Sequence, residues 1–243
     1  MTSIPIRAFA RGLDLLAALN RHGSATALTL ARDTGIPRAS VYRLLETLLA
    51  GGWIARSPSD DRFTLRLKLR TLSDGVEDEE WISAIAAPAL FKLTTRIGWP
   101  SDLATREGTQ MLVRESTHRI ARFSIDRGMA GRFFPLVGSS VGEAWLAFAP
   151  AREREETLAL LGSASPALRT RLSRIRRDGY ALREPGPPWP QTGSVAVPLR
   201  QGKNLLGCIN AIWMARAVTP AEGLRLCLPP LLAARDAMEV ALD

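Results

Sequence analysis

Apolar residues in the first third of the chain recur at helical spacing in three successive stretches. Phe9, Leu13, Leu16 and Asn20 fall three and four apart, with Ala10 and Ala17 alongside, and Gly23 stands where such a helix would be capped. Thr26 then caps a short second helix that carries Leu28, Leu30 and Ala31 and stops at Thr34 and Gly35. Pro37 opens a third helix, where its missing N–H costs nothing. In this helix Val41, Leu44, Leu45, Leu48 and Leu49 follow the i, i+3, i+4, i+7, i+8 pattern of one buried stripe. The opposite face presents Ala39, Ser40, Tyr42, Arg43, Glu46 and Thr47, with Arg38 at its start.

Two helices joined by a tight glycine turn, the second bearing short polar groups and guanidiniums outward, predict a helix-turn-helix over about residues 26–49. Such groups reach base edges and phosphates in a major groove. After Gly51 and Gly52 the period changes to two: Phe63, Leu65 and Leu67 alternate with Arg62, Thr64 and Arg66. Trp53 to Arg56 and Arg62 to Leu65 therefore read as two short strands around a turn from Ser57 to Asp61. They form a wing that lays Arg62 near the phosphate backbone or the minor groove.

Further along, Leu65, Leu69, Leu72 and Val76 predict a linker helix that ends at Asp74-Gly75 and the acidic run 77–80. A second helix follows from Trp81 to about Ile97, kinked at Pro88. From Ser101 the pattern shortens. Leu103 to Arg106, Met111 to Glu115, Arg122 to Ile125, Val195 to Leu199 and Leu205 to Trp213 read as strands. Helices are expected at Gly142 to Phe148, Arg152 to Leu161, Ala167 to Asp178 and Pro220 to Leu242. The fold class expected is α+β: residues 4–67 as a winged helix-turn-helix, then residues 68–243 as linker helices and an antiparallel sheet with flanking helices.

Charge sharpens the first half of this reading. The chain carries a net charge of +8, and residues 1–73 hold 11 Lys and Arg against 5 Asp and Glu, while the remainder holds 21 against 19. Positive charge gathered in under a third of the chain suits a polyanionic partner, double-stranded DNA. The two cysteines, Cys208 and Cys227, have no partner at metal-ligand spacing, so neither a disulfide framework nor a metal is expected, and no cofactor is implied. No stretch approaches the ~18 apolar residues of a membrane helix, and Arg7, Arg11 and Asp14 interrupt any signal-peptide core. A cytoplasmic protein with no membrane partner is the expectation.

One motif points elsewhere. Gly138-Ser139-Ser140-Val141-Gly142 satisfies the GxSxG pattern of a serine hydrolase elbow. Such an enzyme needs a histidine downstream of the serine, and none follows His118. The same residues open a helix whose free N–H groups favour an anion, so Ser139, Ser140, Val141 and Gly142 become candidate contacts for a carboxylate effector. The chain is not expected to be an enzyme.

The run Arg38-Ala-Ser-Val-Tyr-Arg-Leu-Leu-Glu-Thr-Leu, followed by Gly-Trp-Ile and the wing from Arg56 to Leu69, resembles the DNA-binding domain of the IclR family of transcriptional regulators. The resemblance extends from Arg7 to the C-terminus. It includes Gly131-Arg-Phe-Phe-Pro-Leu-Val-Gly-Ser-Ser-Val-Gly-Glu-Ala-Trp-Leu-Ala-Phe, which looks like the hallmark stretch of the family's GAF-like effector domain. The similarity is closest to the subgroup that regulates 3-(3-hydroxyphenyl)propionate breakdown, through Arg56-Ser-Pro-Ser-Asp-Asp and Trp81-Ile-Ser-Ala.

The resemblance implies a homodimer or tetramer that places two recognition helices on a near-palindromic operator. Arg38, Ser40 and Arg43 would read bases, with Ala39 on the same face; Arg7, Tyr42 and Arg62 would hold phosphates, and Thr26 joins them at the second helix. It further implies activation of an aromatic-acid catabolic operon with RNA polymerase as partner, and a small aromatic carboxylate as effector. Repression in response to a keto acid or a hydroxybenzoate is the alternative. Polar effector contacts map onto Glu184, Ser194 and Asn210, where many members carry Asp and Cys at the first two positions. Met129 and Trp145 are candidates for apolar pocket walls or plain core, and the loop from Pro185 to Pro190 with Trp189 for a lid or a stiff connection.

Overall fold

The computed structural model describes residues 6–72, 80–162 and 165–242. They form two compact units that divide after residue 77.

In the first unit, α1 (Arg7–His22) ends at Gly23, whose positive φ lets its N–H reach Leu19 O at 2.9 Å. Strand β1 (Ala25–Thr26) leads into α2 (Ala27–Thr34), whose first turn is capped by the Thr26 hydroxyl accepting from Thr29 N–H. Gly35, left-handed, ends α2, and Pro37 caps α3 (Arg38–Ala50). The wing strands β2 (Ile54–Arg56) and β3 (Arg62–Leu65) pair antiparallel, and β3 also pairs with β1, giving the order β1-β3-β2. Leu15, Leu19, Leu30, Val41, Leu45 and Phe63 are the centre of the core beneath them.

The stripe of α3 is buried as its spacing predicts, with Val41 and Leu45 innermost and Leu44, Leu48 and Leu49 packed around them. In α1 the outcome differs. Its buried face is Leu15, Ala18 and Leu19, whereas Phe9 and Leu13 are 68% and 50% exposed. The helix carries apolar residues around more than one face, so spacing identifies the helix but not the side that packs. The wing also does not run on into a regular helix. Leu67–Leu72 wind as a 3-10 turn held to the first unit by Lys68, which donates to Gly51 O and lies over the Trp53 ring at 4.2 Å. Val76, Asp74-Gly75 and most of the acidic run fall outside the described residues.

The second unit begins with one π-helical turn, Ile82–Ala86, that passes into α4 (Ala87–Ile97). Pro88 sits in the first turn of α4, where no N–H is required, so the expected kink is a change of winding just before it. The sheet comprises β4 (Ser101–Glu107), β5 (Gln110–Ser116), β6 (Phe133–Pro135), β7 (Ala181–Arg183), β8 (Thr192–Gln201) and β9 (Asn204–Met214). It is antiparallel throughout, in the order β6-β5-β4-β9-β8-β7. The helices are α5 (Ser140–Phe148), α6 (Ala151–Leu160), α7 (Pro166–Asp178) and α8 (Pro220–Leu242). The α+β class and the four late helices are as expected.

Register divides the sheet into two faces. Leu103, Val195, Val197, Ile209, Ala211 and Trp213 point to one side and pack on α4 and α8. Trp213 fills that layer so closely that a Cβ on Gly223 or Gly193 would lie 2.3 or 2.5 Å from its ring. Ala104, Met111, Ala196 and Cys208 point to the other side, under α5 and α7. Residues 122–125 are not the strand their pattern predicts. Phe123 packs its ring on Trp99 at 5.2 Å and the Ser124 hydroxyl donates to Asp126 O, so the segment is held as a loop by side chains rather than by a ladder. The three-residue strands β6 and β7 are too short to show a period. No helix of the described residues is long and apolar enough to cross a membrane.

Candidate functional site

The outward face of α3 carries Ala39, Tyr42, Arg43, Glu46 and Thr47 exposed, with Ser40 half-buried. Arg38 donates to the Tyr42 hydroxyl at 3.3 Å and lies over its ring, so the two side chains form one unit at the start of the helix. Arg43 makes no ion pair among the described residues and projects freely. Arg7 is exposed at the first position of α1. Thr26 and Arg62 are cross-strand partners, and both are already engaged. Thr26 caps α2, while Arg62 donates to Ser24 Oγ at 2.9 Å and Ser24 O at 2.7 Å. Arg62 thereby ties the wing to the segment before α2 and keeps part of its charge outward. Arg56 and Asp61 close the wing turn with an ion pair.

In the second unit a cavity of about 690 Å³, counted to its open mouth, lies between the sheet and the start of α5. The chain builds it by sparing bulk: Ala104, Ser194 and Asn210 face it from β4, β8 and β9, and Val113, Phe134, Met129 and Ile212 supply apolar wall. The turn before α5 is tightly determined. Ser139 accepts from Gly142 N–H and donates to Pro135 O, and a Cβ on Gly142 would lie 2.5 Å from the Leu136 backbone. Glu143 accepts Gly138 N–H at 3.0 Å and is gripped by Arg171.

Buried polarity concentrates here. Of eleven buried polar residues described, six line the cavity: Asp102, His118, Ser139, Ser140, Ser194 and Asn210. Burying polar groups is costly unless they find partners, so such a cluster marks a site rather than a core. At one side Ser140 and Ser194 share a hydrogen bond of 2.8 Å, and Arg183 donates to Ser194 Oγ, Thr192 O and Thr192 Oγ1 while lying over the Trp189 ring. No carboxylate among the described residues pairs with Arg183, and burial lowers its pKa to about 10. It remains a cation at neutral pH. Ser194 accepts from Arg183, and either hydroxyl of the Ser140–Ser194 pair can donate to the other.

At another side stand Asp102 and His118, with His118 Nε2 3.6 Å from Asp102 Oδ2. Burial by itself would lower the His118 pKa, but the close Asp102 carboxylate, together with Asp126, outweighs it and raises it. Arg132 reaches the rim, near Asp126.

The structure thus gathers Met129, Ser139, Ser140, Val141, Ser194 and Asn210 in one cavity. Three further candidates lie elsewhere. Trp145 is buried in the α5–α7 core under Arg106, and Gly142 is the contact point of α5 on Leu136. Glu184 faces a separate depression beside Tyr180 and Leu182. Sequence reasoning chose Glu184 and passed over its neighbour Arg183. Pairing with Ser194 is what turns Arg183 inward, and a three-residue strand does not declare its register. Asp102, His118, Arg132 and Phe134 were also missed. His118 was the one detectable signal, as a lone histidine in an arginine-rich second domain. Trp189, singled out with its proline-rich loop, lines the cavity and meets Phe134 at 5.8 Å.

A winged helix-turn-helix with a basic outward face is followed by an α+β unit with a polar cavity, the architecture of a DNA-binding module joined to a second unit that has room for a small molecule. Residues 8–58 match the IclR helix-turn-helix domain. The chain is 29% identical over 245 residues to the Pca regulon regulatory protein of Pseudomonas putida, covering 93% of this chain and 80% of that protein. It is 24% identical over 155 residues to the HTH-type transcriptional regulator TsaQ1/TsaQ2 of Comamonas testosteroni, covering 63% of this chain and about half, 55%, of that one. An IclR homolog from Microbacterium hydrocarbonoxydans, solved in complex with 4-hydroxybenzoate, has the same fold, with a TM-score of 0.60 at 22% identity over 97% of this chain and 98% of that one. Residues 8–58 are thus similar to an IclR-type DNA-binding domain, and the relatives that match most of the chain are transcriptional regulators rather than enzymes. Accordingly Ser140 of the GxSxG motif bonds to Ser194, and His118 is engaged with Ser124.

Proposed function

We propose that this protein controls an aromatic-acid catabolic operon, in the manner of the phenylpropanoid-type regulators, by binding a near-palindromic operator as a homodimer or tetramer. Arg38, Ala39, Ser40 and Arg43 face the bases, while Arg7, Thr26, Tyr42 and Arg62 face phosphates. The effector is a small aromatic carboxylate whose anionic end meets Arg183, the Ser140–Ser194 pair and the N-terminus of α5. Met129, Val113, Phe134 and Trp189 enclose its ring.

The observation that carries this reading is the half-buried Arg183, a cation with no carboxylate partner among the described residues beside an apolar wall. The names of the relatives agree, since one regulates a Pca regulon and a structural neighbour holds 4-hydroxybenzoate. Ligand binding acts on transcription by favouring one arrangement of the oligomer over another, which requires unequal affinity for the two. Activation through RNA polymerase is the sign of control we favour, on the subgroup likeness of the wing and of residues 81–84; repression uses the same contacts.

A thermal-shift screen against benzoates, hydroxybenzoates, cinnamates, phenylpropionates and small keto acids tests the effector class. At a hundred times its dissociation constant a ligand adds about 2.7 kcal/mol, a shift of roughly 5–10 °C for a unit of this size. An aromatic acid should shift the midpoint; shifts with keto acids alone, or with none, remove the aromatic reading.

A further inference from the structure

Resting on that effector reading, we infer that Asp102 and His118 form a hydroxyl-reading station, and that the effector carries a hydroxyl donor remote from its carboxylate. Both side chains are more than nine-tenths buried and both line the cavity. Asp102 Oδ1 and His118 Nε2 are two of only three buried side-chain polar atoms without a hydrogen-bond partner among the described residues. Left orphaned, such atoms oppose folding, and a site that a ligand completes is a recognised reason to keep them.

The hydrogen-bond chain defines the chemistry of the missing partner. The Ser124 hydroxyl spends its one proton on Asp126 O, so it must accept from His118 Nδ1. With Nδ1 protonated, Nε2 of the neutral ring would turn a lone pair toward Asp102. The nearby carboxylate instead favours the imidazolium, with a proton on Nε2. At 3.6 Å the Nε2–Oδ2 gap is too long for a direct hydrogen bond. An oxygen seated beside the pair accepts from Nε2–H and donates to Asp102 Oδ1. A hydroxyl has both capacities; an ether has one and a carboxylate neither proton nor welcome beside Asp102.

Topology sets this station apart from the anion end. Asp102 pairs with Asn210, and Asn210 with Ala196, while Arg183 pairs with Ser194, two residues further back on β8. The two side chains therefore share one face of the sheet but arise from strands three places apart, roughly 14 Å between backbones. Side chains reaching inward from both ends leave the span of a ring with a short acid arm. Asp102 also repels a second anion, so the ligand has one orientation: carboxylate to Arg183, hydroxyl to Asp102.

Calorimetric titration of the full-length protein with benzoate, 3-phenylpropionate, their ring-hydroxylated isomers and the matching methoxy acids tests this. At least one hydroxylated isomer should bind tenfold or more tighter than its parent, and its methoxy counterpart should lose that gain. In Asp102→Ala the hydroxylated acid and its parent should bind alike. Parents that bind as tightly as every hydroxylated isomer overturn the station, as does a methoxy acid equal to its hydroxy counterpart. So does a folded Asp102→Ala that keeps the gain. Should that variant not fold, the hydroxy and methoxy arms on the native protein decide alone. Binding of no aromatic acid at all would instead remove the effector reading itself.

Discussion

Arg171 grips Glu143 with two parallel hydrogen bonds, Nε to Oε2 and Nη2 to Oε1, each 2.8 Å, while the same carboxylate accepts Gly138 N–H. The pair comes from α7 and the first turn of α5, so it clamps the turn that forms the floor of the cavity to the helix layer above. Removing the guanidinium strands a buried carboxylate, but Arg171 is about a third exposed and water would partly replace it. Arg171→Met should therefore cost the second unit about 1–3 kcal/mol rather than the larger penalty of a fully enclosed pair. Denaturant unfolding followed separately for each unit checks this: the first unit's transition should not move.

Gly142→Ala should be worse. The added Cβ would sit 2.5 Å from both Leu136 Cα and Leu136 O, and backbone cannot swing aside as a side chain can. We expect a loss of about 3 kcal/mol or more, at or above the upper range for overpacking, and weakened effector binding because α5 must lift. A stability within 1 kcal/mol of the native protein would show that the α5 start is loosely held.

Arg43→Ala should leave the fold and its melting midpoint unchanged, since the side chain is exposed and makes no ion pair among the described residues. Discrimination between operator and mismatched DNA should fall by about 1–3 kcal/mol, measured in a binding titration. Arg62→Ala should behave differently, because Arg62 also bonds Ser24. It should lower the first unit's stability by about 1 kcal/mol and weaken binding uniformly across sequences. Affinity for either sequence should drop steeply with salt as counterions are released; a flat dependence would speak against DNA as the partner.

The His118 pKa is raised above its ordinary 6.5 by the neighbouring carboxylates. A raised value means the folded state holds the proton more tightly than the unfolded chain. The stabilisation is complete below pH 6.5 and is lost as pH climbs through the folded-state value. Stability of the second unit should thus decline as pH rises above 6.5, and His118→Gln should flatten that slope. An unchanged slope in the variant would assign it to another group.

Local pattern was enough for the first unit, because its signals are short-range. The stripe on α3, the caps at Thr26 and Gly35 and the period-two wing each act within a few residues, and the basic outward face follows from the buried one by elimination. The four late helices were legible on the same grounds. The side of α1 that packs was not, since its apolar residues surround the helix and only a neighbouring layer selects Leu15 and Leu19 over Phe9 and Leu13.

The cavity is where local pattern runs out. Ser139, Ser140 and Val141 were visible as a helix start, and Ser194 and Asn210 through family likeness, but Trp145 and Glu184 face away from the cavity. Long-range strand register chose Arg183 over Glu184. It also set Asp102 opposite Asn210, more than a hundred positions away. Which segments become helix, wing and sheet is settled by neighbours along the chain, and so could be read locally. Which polar groups are buried together depends on how six strands align and on what α5 and α7 leave uncovered, and so emerges only in the folded molecule.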